Sequence, residues 1–227
     1  MSQRKKLAKN KLKKFLQLEE YLHVKQPSLE ELKQGYVLKG KWKQDFFQNQ
    51  NPIVLELGCG KGEYAFSLAK KYPKKNFIGV DIKGARIWKG ATDSLNDNMI
   101  NVGFLRIRID WIESCFAKEE IDEIWITFPD PQIKKRRANK RLTHPNFLKR
   151  YQNILQKRGR IHLKTDSQFL HQFTLDVIAE EGHLLHDSSN DIYNDKKSRE
   201  HMDIKTHYEK LHLEKDLPIT YLSFSLK

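Results

Sequence analysis

From Pro52 onward the sequence alternates short apolar runs with longer stretches of helical spacing, and that alternation limits the fold more than any other feature. IVLELG (53–58), NFIGVD (76–81), VGFLRIRID (102–110), IDEIWITFPD (121–130), RIHLKTD (160–166) and PITYLSFSL (218–226) read as strands. EYAFSLAKKY (63–72), GARIWKGATDSLND (84–97), HPNFLKRYQNILQ (144–156) and SQFLHQFTLDVIAEEG (167–182) read as helices between them. Pro145 suits the first turn of the third helix, and Gly182 the end of the fourth. Strand following helix in this way predicts an α/β fold: a doubly wound, mostly parallel sheet with helices on both faces. At 227 residues the chain holds one such domain plus an extension. Residues 1–48 read as a basic N-terminal arm and linker, with 1–25 part helical and mobile without a partner and a short amphipathic piece near Trp42 to Phe47, and 49–227 as the α/β domain.

Charge narrows the partners. The formal net charge is +13, and two acid-free runs account for the whole excess. MSQRKKLAKNKLKK (1–14) carries seven Lys/Arg, and KKRRANKR (134–141) carries six. So local an excess implies a surface that faces a polyanion rather than general solubility. No apolar stretch follows the first run, which argues against a targeting peptide, and none approaches the length of a membrane span. Cys59 and Cys115 have no CxxC neighbour, and the nine histidines show no metal-binding spacing. The chain reads as a cytoplasmic protein without metal.

The chemistry is expected along one rim. Gly58, Gly60 and Gly62 in ELGCGKGEY follow the first strand and open the first helix, where backbone N–H groups are free to meet a ligand. Their spacing is GxGxG, not the GxGxxG of pyrophosphate-binding loops. Asp81, nineteen residues after Gly62, ends the second strand and is placed to bind ribose hydroxyls. Asp110 and Asp130 are expected to end the third and fourth strands, so that three acids line the edge where open α/β sheets bind ligands. Glu56, inside an apolar strand, needs partners from a ligand or from loop N–H groups. Asp166 reads either as a cap on the following helix or as a site residue, and Thr206 to Glu209 (THYE) either as a capping box or as a site. Trp88, Trp111 and Trp125 read as core or rim packing.

The glycine loop with its acids resembles the class I S-adenosylmethionine-dependent methyltransferases, whose fold is a Rossmann-like, seven-stranded sheet. A nicotinamide dehydrogenase is the competing reading of the loop, but the glycine spacing is against it. FPDP (128–131) running into KKRRANKR, with KTD at 164–166 and THYE at 206–209, resembles the tRNA (guanine-N7-)-methyltransferase family over about residues 50 to 227. The resemblance implies methyl transfer from S-adenosylmethionine to N7 of guanine 46 in the tRNA variable loop. By the same resemblance Glu56, Gly58, Gly60, Asp81, Asp110 and Asp130 surround the cofactor, and Asp130 is also the catalytic residue. Lys134, Asp166, Thr206, His207, Tyr208 and Glu209 meet the tRNA. The chain departs from the family pattern at Gln132, where Trp is frequent, at Ile133, at His207, and at Asp81, where Glu is common. Methylation of another RNA, and RNA binding without catalysis, are the alternatives.

Overall fold

The computed structural model describes residues 3–197, 199 and 203–227, with the side chains of residues 3–11, His207 and Tyr208 outside the description. Its strands are β1 (Val24–Lys25), β2 (Ile53–Leu57), β3 (Asn76–Asp81), β4 (Val102–Arg106), β5 (Ile121–Thr127), β6 (Leu155–Thr165), β7 (Leu184–Ser189) and β8 (Thr220–Ser225). They form one sheet in the order β1-β4-β3-β2-β5-β6-β8-β7. Neighbours from β1 through β6 are parallel, and β8 lies antiparallel to both β6 and β7.

Seven strands are expected and eight are found among the described residues. The two-residue β1 adds at one edge, and β7, whose LLHDSS sequence is largely exposed, closes the other. The α/β class stands, with the sheet of a class I methyltransferase. Boundaries move as well: the helix expected over 144–156 stops at Gln152, and β6, expected from Arg160, begins at Leu155, which already pairs with Ile121 in the β5–β6 ladder.

Helices α1 (Gln3–Glu20), α3 (Glu63–Lys71) and α4 (Gly84–Asn96) cover one face of the sheet. The other face carries α2 (Leu29–Gln34), a π-helical turn Trp42–Phe46, α5 (Ile112–Cys115), α6 (Pro145–Gln152) and α7 (Gln168–Glu180). A short α8 (His207–Leu213) precedes β8. The period-two alternation of the strands divides the core. Ile53, Leu55 and Leu57 of β2 point to the α7 face, while Val54 points to the α3 face. No described helix is long and apolar enough to cross a membrane.

The segment before β2 packs onto this unit. Leu18, Val24, Leu32, Tyr36, Leu38, Trp42 and Phe47 are all buried. Along α1 the contacts with α4 advance in step: Phe15 lies 3.0 Å from where a Cβ on Gly84 would be, Trp88 donates to Gln17, and just past α1 the Tyr21 hydroxyl meets Thr92. The two helices therefore run in the same direction, and the first half of α1 continues past the start of α4 at the carboxyl edge of the sheet. Trp42 anchors the stretch that follows. Its indole Nε1 donates to the Cys115 carbonyl at 2.9 Å, its ring stacks on Phe116 at 5.2 Å, and the Glu120 carboxylate accepts from the backbone N–H groups of Gly40 and Trp42. Replacing Trp42 with Ala is expected to destabilise the protein by about 3–5 kcal/mol in urea unfolding. A loss within about 0.5 kcal/mol, as for a solvated linker, would contradict this packing.

Candidate active site

The strand order reverses at β2. The chain moves outward from β2 to β3 and β4, then returns to place β5 on the other side of β2, which opens a crevice at the carboxyl ends of β2 and β5. The glycine loop leaves one of these strands and FPDP the other. Gly58, Gly60 and Gly62 all have positive φ, at 75°, 55° and 69°. A Cβ on Gly62 would lie 2.4 Å from Phe104, so this glycine lets α3 pack close to the sheet. At Gly58 and Gly60 a Cβ would meet its nearest atoms at ordinary van der Waals distance, 3.7 and 4.0 Å, so the positive φ and not crowding calls for glycine there.

Glu56 lies beneath the loop on the α3 face and is fully buried in practice, at 3% exposure. One carboxylate oxygen accepts from the Thr127 hydroxyl at 2.6 Å, and the other from the Ala65 N–H in the first turn of α3 at 2.8 Å. Burial raises its pKa to about 7 against the pull of those two bonds, and nearby Asp81 and Glu63 push the same way. Asp81 ends β3 as expected and braces the loop: Oδ2 accepts from the Gly60 N–H at 2.9 Å and Oδ1 from that of Lys83 at 2.8 Å. The resulting hollow is lined by Glu56, Gly58, Cys59, Gly60, Tyr64, Arg86, Thr127, Phe128 and Thr206, among others. The Tyr64 hydroxyl, buried in that wall, has no hydrogen-bond partner among the described residues.

The other two acids do not end strands. β4 stops at Arg106 because its partner β3 stops at Asp81, the residue opposite. Asp110 therefore sits four residues on, in a 3-10 turn over Ile109–Trp111, exposed and 3.1 Å from the Arg108 guanidinium. β5 stops at Thr127, where its ladder with β6 ends at Lys164 and Phe128 turns to φ 45°. Asp130 projects from the loop beyond, exposed, with Oδ1 accepting from the Gln132 N–H at 3.0 Å. Gln132 is also left-handed, at φ 46°. Two non-glycine residues in that region within five positions cost about 1–3 kcal/mol each, so the loop is held rather than relaxed.

KTD and THYE come together. Lys164, at the carboxyl end of β6, and Glu209, in α8, are both wholly buried and meet at 2.6 Å. Burial lowers the Lys164 pKa, and Glu209 opposes that shift. The Tyr193 hydroxyl also donates to Glu209 at 2.6 Å. Asp166 lies 2.8 Å from His212 Nε2, so a second contact fastens α8 to the same edge. The capping box forms between Thr206 and Glu209, while Ser167, not Asp166, caps α7. Glu209 thus faces a lysine of its own chain, and its pairing keeps Thr206 in the wall of the hollow. The side chains of His207 and Tyr208 lie outside the described residues.

In the basic run Lys134, Lys135, Arg136, Arg137 and Lys140 are exposed, and none joins an ion pair among the described residues. Arg141 differs: it is buried and bonds to the carbonyls of the FPDP loop. Of the expected site residues, Glu56, Gly58, Gly60 and Thr206 line the hollow and Asp81 braces it. Asp110, Asp130, Lys134 and Asp166 stand outside its walls. Tyr64, Thr127 and Lys164 are additional. A lysine inside the apolar run IHLKT signals a buried partner as plainly as Glu56 does, whereas Tyr64 reads like any core aromatic.

A family described as "Putative methyltransferase" matches residues 50–222. The tRNA (guanine-N(7)-)-methyltransferase of Christiangramia forsetii is 52% identical over 97% of this chain and 99% of its own length. Those of Bacteroides fragilis and Cytophaga hutchinsonii are 48% and 38% identical, covering 97% and 96% of the chain and 87% and 98% of their own lengths. Among solved structures, the 16S rRNA methyltransferase KamB superposes with a TM-score of 0.61 at 13% identity, covering 88% of this chain and 94% of that one. The 30S ribosomal A1408 methyltransferase from an uncultured bacterium gives 0.58 at 17% identity, over 80% and 90% of the two chains. At such identities these two establish the fold alone.

Glu56 also sets a pH dependence. Its folded pKa, about 7, lies above the ordinary 4.5, so the folded state holds this proton more tightly than the unfolded state. The resulting stability is complete below about pH 4.5 and is lost as pH rises to about 7. Glu56→Gln removes the titration while keeping an acceptor for Ala65 and a group facing Thr127. The ligand-free variant is expected to gain about 1–3 kcal/mol on the native protein between pH 5 and pH 7.5. Urea unfolding at the two pH values checks this, and an unchanged difference would contradict it.

Proposed function

The chain belongs to the tRNA (guanine-N7-)-methyltransferase family, and we propose that its carboxyl rim transfers a methyl group from S-adenosylmethionine to N7 of guanine 46 in the tRNA variable loop. The observation that carries this reading is the meeting, at the β2–β5 crevice, of an open glycine loop with an Asp-bearing loop that leads directly into five exposed cations.

The residues present suit the cofactor. Gly58 and Gly60 leave backbone free for close approach, Asp81 stands beside the loop, Glu56 lies under it, and the Tyr64 hydroxyl offers an unpaired donor. Asp110 and Asp130 complete the proposed cofactor set from the next two loops along the rim. S-adenosylmethionine supplies an electrophilic methyl group when bound. The chain's own part is lighter than proton transfer, because guanine N7 already carries a lone pair and needs no base. What remains is position and charge. Methylation leaves the guanine positive, and Asp130, between two prolines, presents a fixed anion where that charge develops. Its Oδ1 is occupied by the Gln132 N–H, and no protein donor among the described residues reaches Oδ2.

The RNA backbone falls to the cations. Lys134, Lys135, Arg136, Arg137 and Lys140 neutralise phosphates and give affinity without sequence choice. The basic half of α1 continues past the same edge and adds to that field. Asp166, Thr206, His207 and Tyr208 form the far bank, where α8 is fastened by Glu209, buried against Lys164, and by the contact of His212 with Asp166. In this reading residues 1–48 are the basic arm and linker, its latter part packed on the methyltransferase unit of 49–227. The protein acts on tRNA in the cytoplasm and without a metal.

Methyl-labelled S-adenosylmethionine and an unmodified tRNA transcript test the reaction. Nucleoside analysis should return labelled 7-methylguanosine, and changing guanine 46 to adenine should abolish it. Label on another nucleoside, or label that survives the change, would overturn the substrate assignment.

A further inference from the structure

We propose that Arg141 is the positioning residue for Asp130, fixing the loop that carries this carboxylate through a guanidinium fork. The inference rests on the catalytic placement of Asp130 proposed above. In sequence Arg141 is the last cation of KKRRANKR and looks like one more phosphate contact. Its setting is different. Only 6% of it is exposed, while the five cations before it face solvent.

The loop cannot hold itself. Pro129 and Pro131 flank Asp130 and have no N–H to give, so ladder hydrogen bonds are closed to the segment on both sides. Phe128 and Gln132 mark its two ends in left-handed conformations that side chains avoid. The handles left are carbonyl oxygens. Arg141 Nε donates to the Pro131 carbonyl at 3.3 Å, and Nη2 donates to that of Gln132 at 3.2 Å. Two adjacent carbonyls therefore receive two edges of one planar group, a match a lysine ammonium cannot reproduce.

The fork is itself held. Its centre lies 4.7 Å from the Phe169 ring and 4.4 Å from that of Phe173, both on α7. No carboxylate pairs with Arg141 among the described residues, so its hydrogen bonds go to the loop instead of to an acid. The chain of support runs from α7 through two aromatic rings and the guanidinium to the Pro131 and Gln132 carbonyls. From there the Gln132 N–H holds Asp130 Oδ1. The carboxylate is thus anchored to a helix of the core although it sits on an exposed loop.

The test uses the full chain with Arg141→Lys, Arg141→Met, Asp130→Asn and the Asp130→Asn/Arg141→Lys double variant. Arg141→Lys is expected to lower kcat by about tenfold to a hundredfold, the range expected for a displacement of about 1 Å. KM for tRNA and for S-adenosylmethionine should stay within about threefold, and the salt dependence of tRNA binding should not change. In the Asp130→Asn background the same change should cost nothing further. Arg141→Met keeps the stem against the phenylalanines, and its melting temperature shows whether the fold survives. Hydrogen exchange at the Gln132 amide, measured without substrate, should quicken in both Arg141 variants. Wild-type kcat in Arg141→Lys, a shallower salt slope, a full additional loss in the double variant, or unchanged exchange would each overturn the proposal. If the native protein makes no 7-methylguanosine, the reading of its function fails, and the exchange result alone decides whether Arg141 holds the loop.

Discussion

Glu56 is the point on which the crevice depends. A carboxylate there has no access to solvent, so it must find donors, and the two it finds belong to different elements. The Ala65 N–H fixes where α3 begins and so where the glycine loop ends. The Thr127 hydroxyl fixes the end of β5 and so where the Asp130 loop departs. The ladder sets this up: Glu56 lies opposite Trp125, which puts Thr127 two residues further along the same face. One buried acid therefore sets the separation between the loop suited to the cofactor and the loop suited to the base. Its raised pKa is the cost of that position, and a cationic ligand at the loop offsets it by favouring the charged form.

The far side of the crevice uses the same device with opposite sign. Lys164 is a cation within an apolar strand, and it is satisfied by a carboxylate carried in from α8 and by the Ile204 carbonyl at 3.2 Å. Removing either member would strand the other, a loss of about 3–5 kcal/mol in comparable buried pairs. The pairing brings the chain between β7 and β8 over the end of β6 and places Thr206 in the wall of the hollow. Glu56, Thr127 and Lys164 all occupy the α3 face of neighbouring strands. That face is apolar at Val54 and Trp125, with the Glu123–His162 contact toward the amino edge and these three residues toward the carboxyl edge.

Much of this was legible from residues alone, for identifiable reasons. Continuous apolar runs such as IVLEL and NFIGVD are buried on both faces, so their pattern locates β3 to the residue and β2 to within one. Asp81 was correctly placed because its strand ends where the glycine loop needs a brace. Asp110 and Asp130 were placed too early. Isoleucines at 107 and 109 extend the apolar pattern beyond the point where β3 stops offering a partner, and β5 already turns at Phe128, ahead of the prolines, through a left-handed angle that its residue type does not announce. Trp42 and its neighbours looked like a linker because their contacts, to Cys115 and Glu120, lie more than seventy residues away. The run of cations hid Arg141, since charge alone does not show that one member faces inward.

The central claim is that Asp130, although it borders the proposed cofactor set, acts mainly in the transfer step, and that an isosteric amide there preserves binding. Single-turnover methyl transfer at saturating tRNA and S-adenosylmethionine, compared between the native protein and Asp130→Asn, tests it most directly. The account predicts a rate lowered by about a hundredfold or more, with both dissociation constants within about twofold of native. An unchanged rate, or a loss that disappears once both ligands are truly saturating, would contradict it.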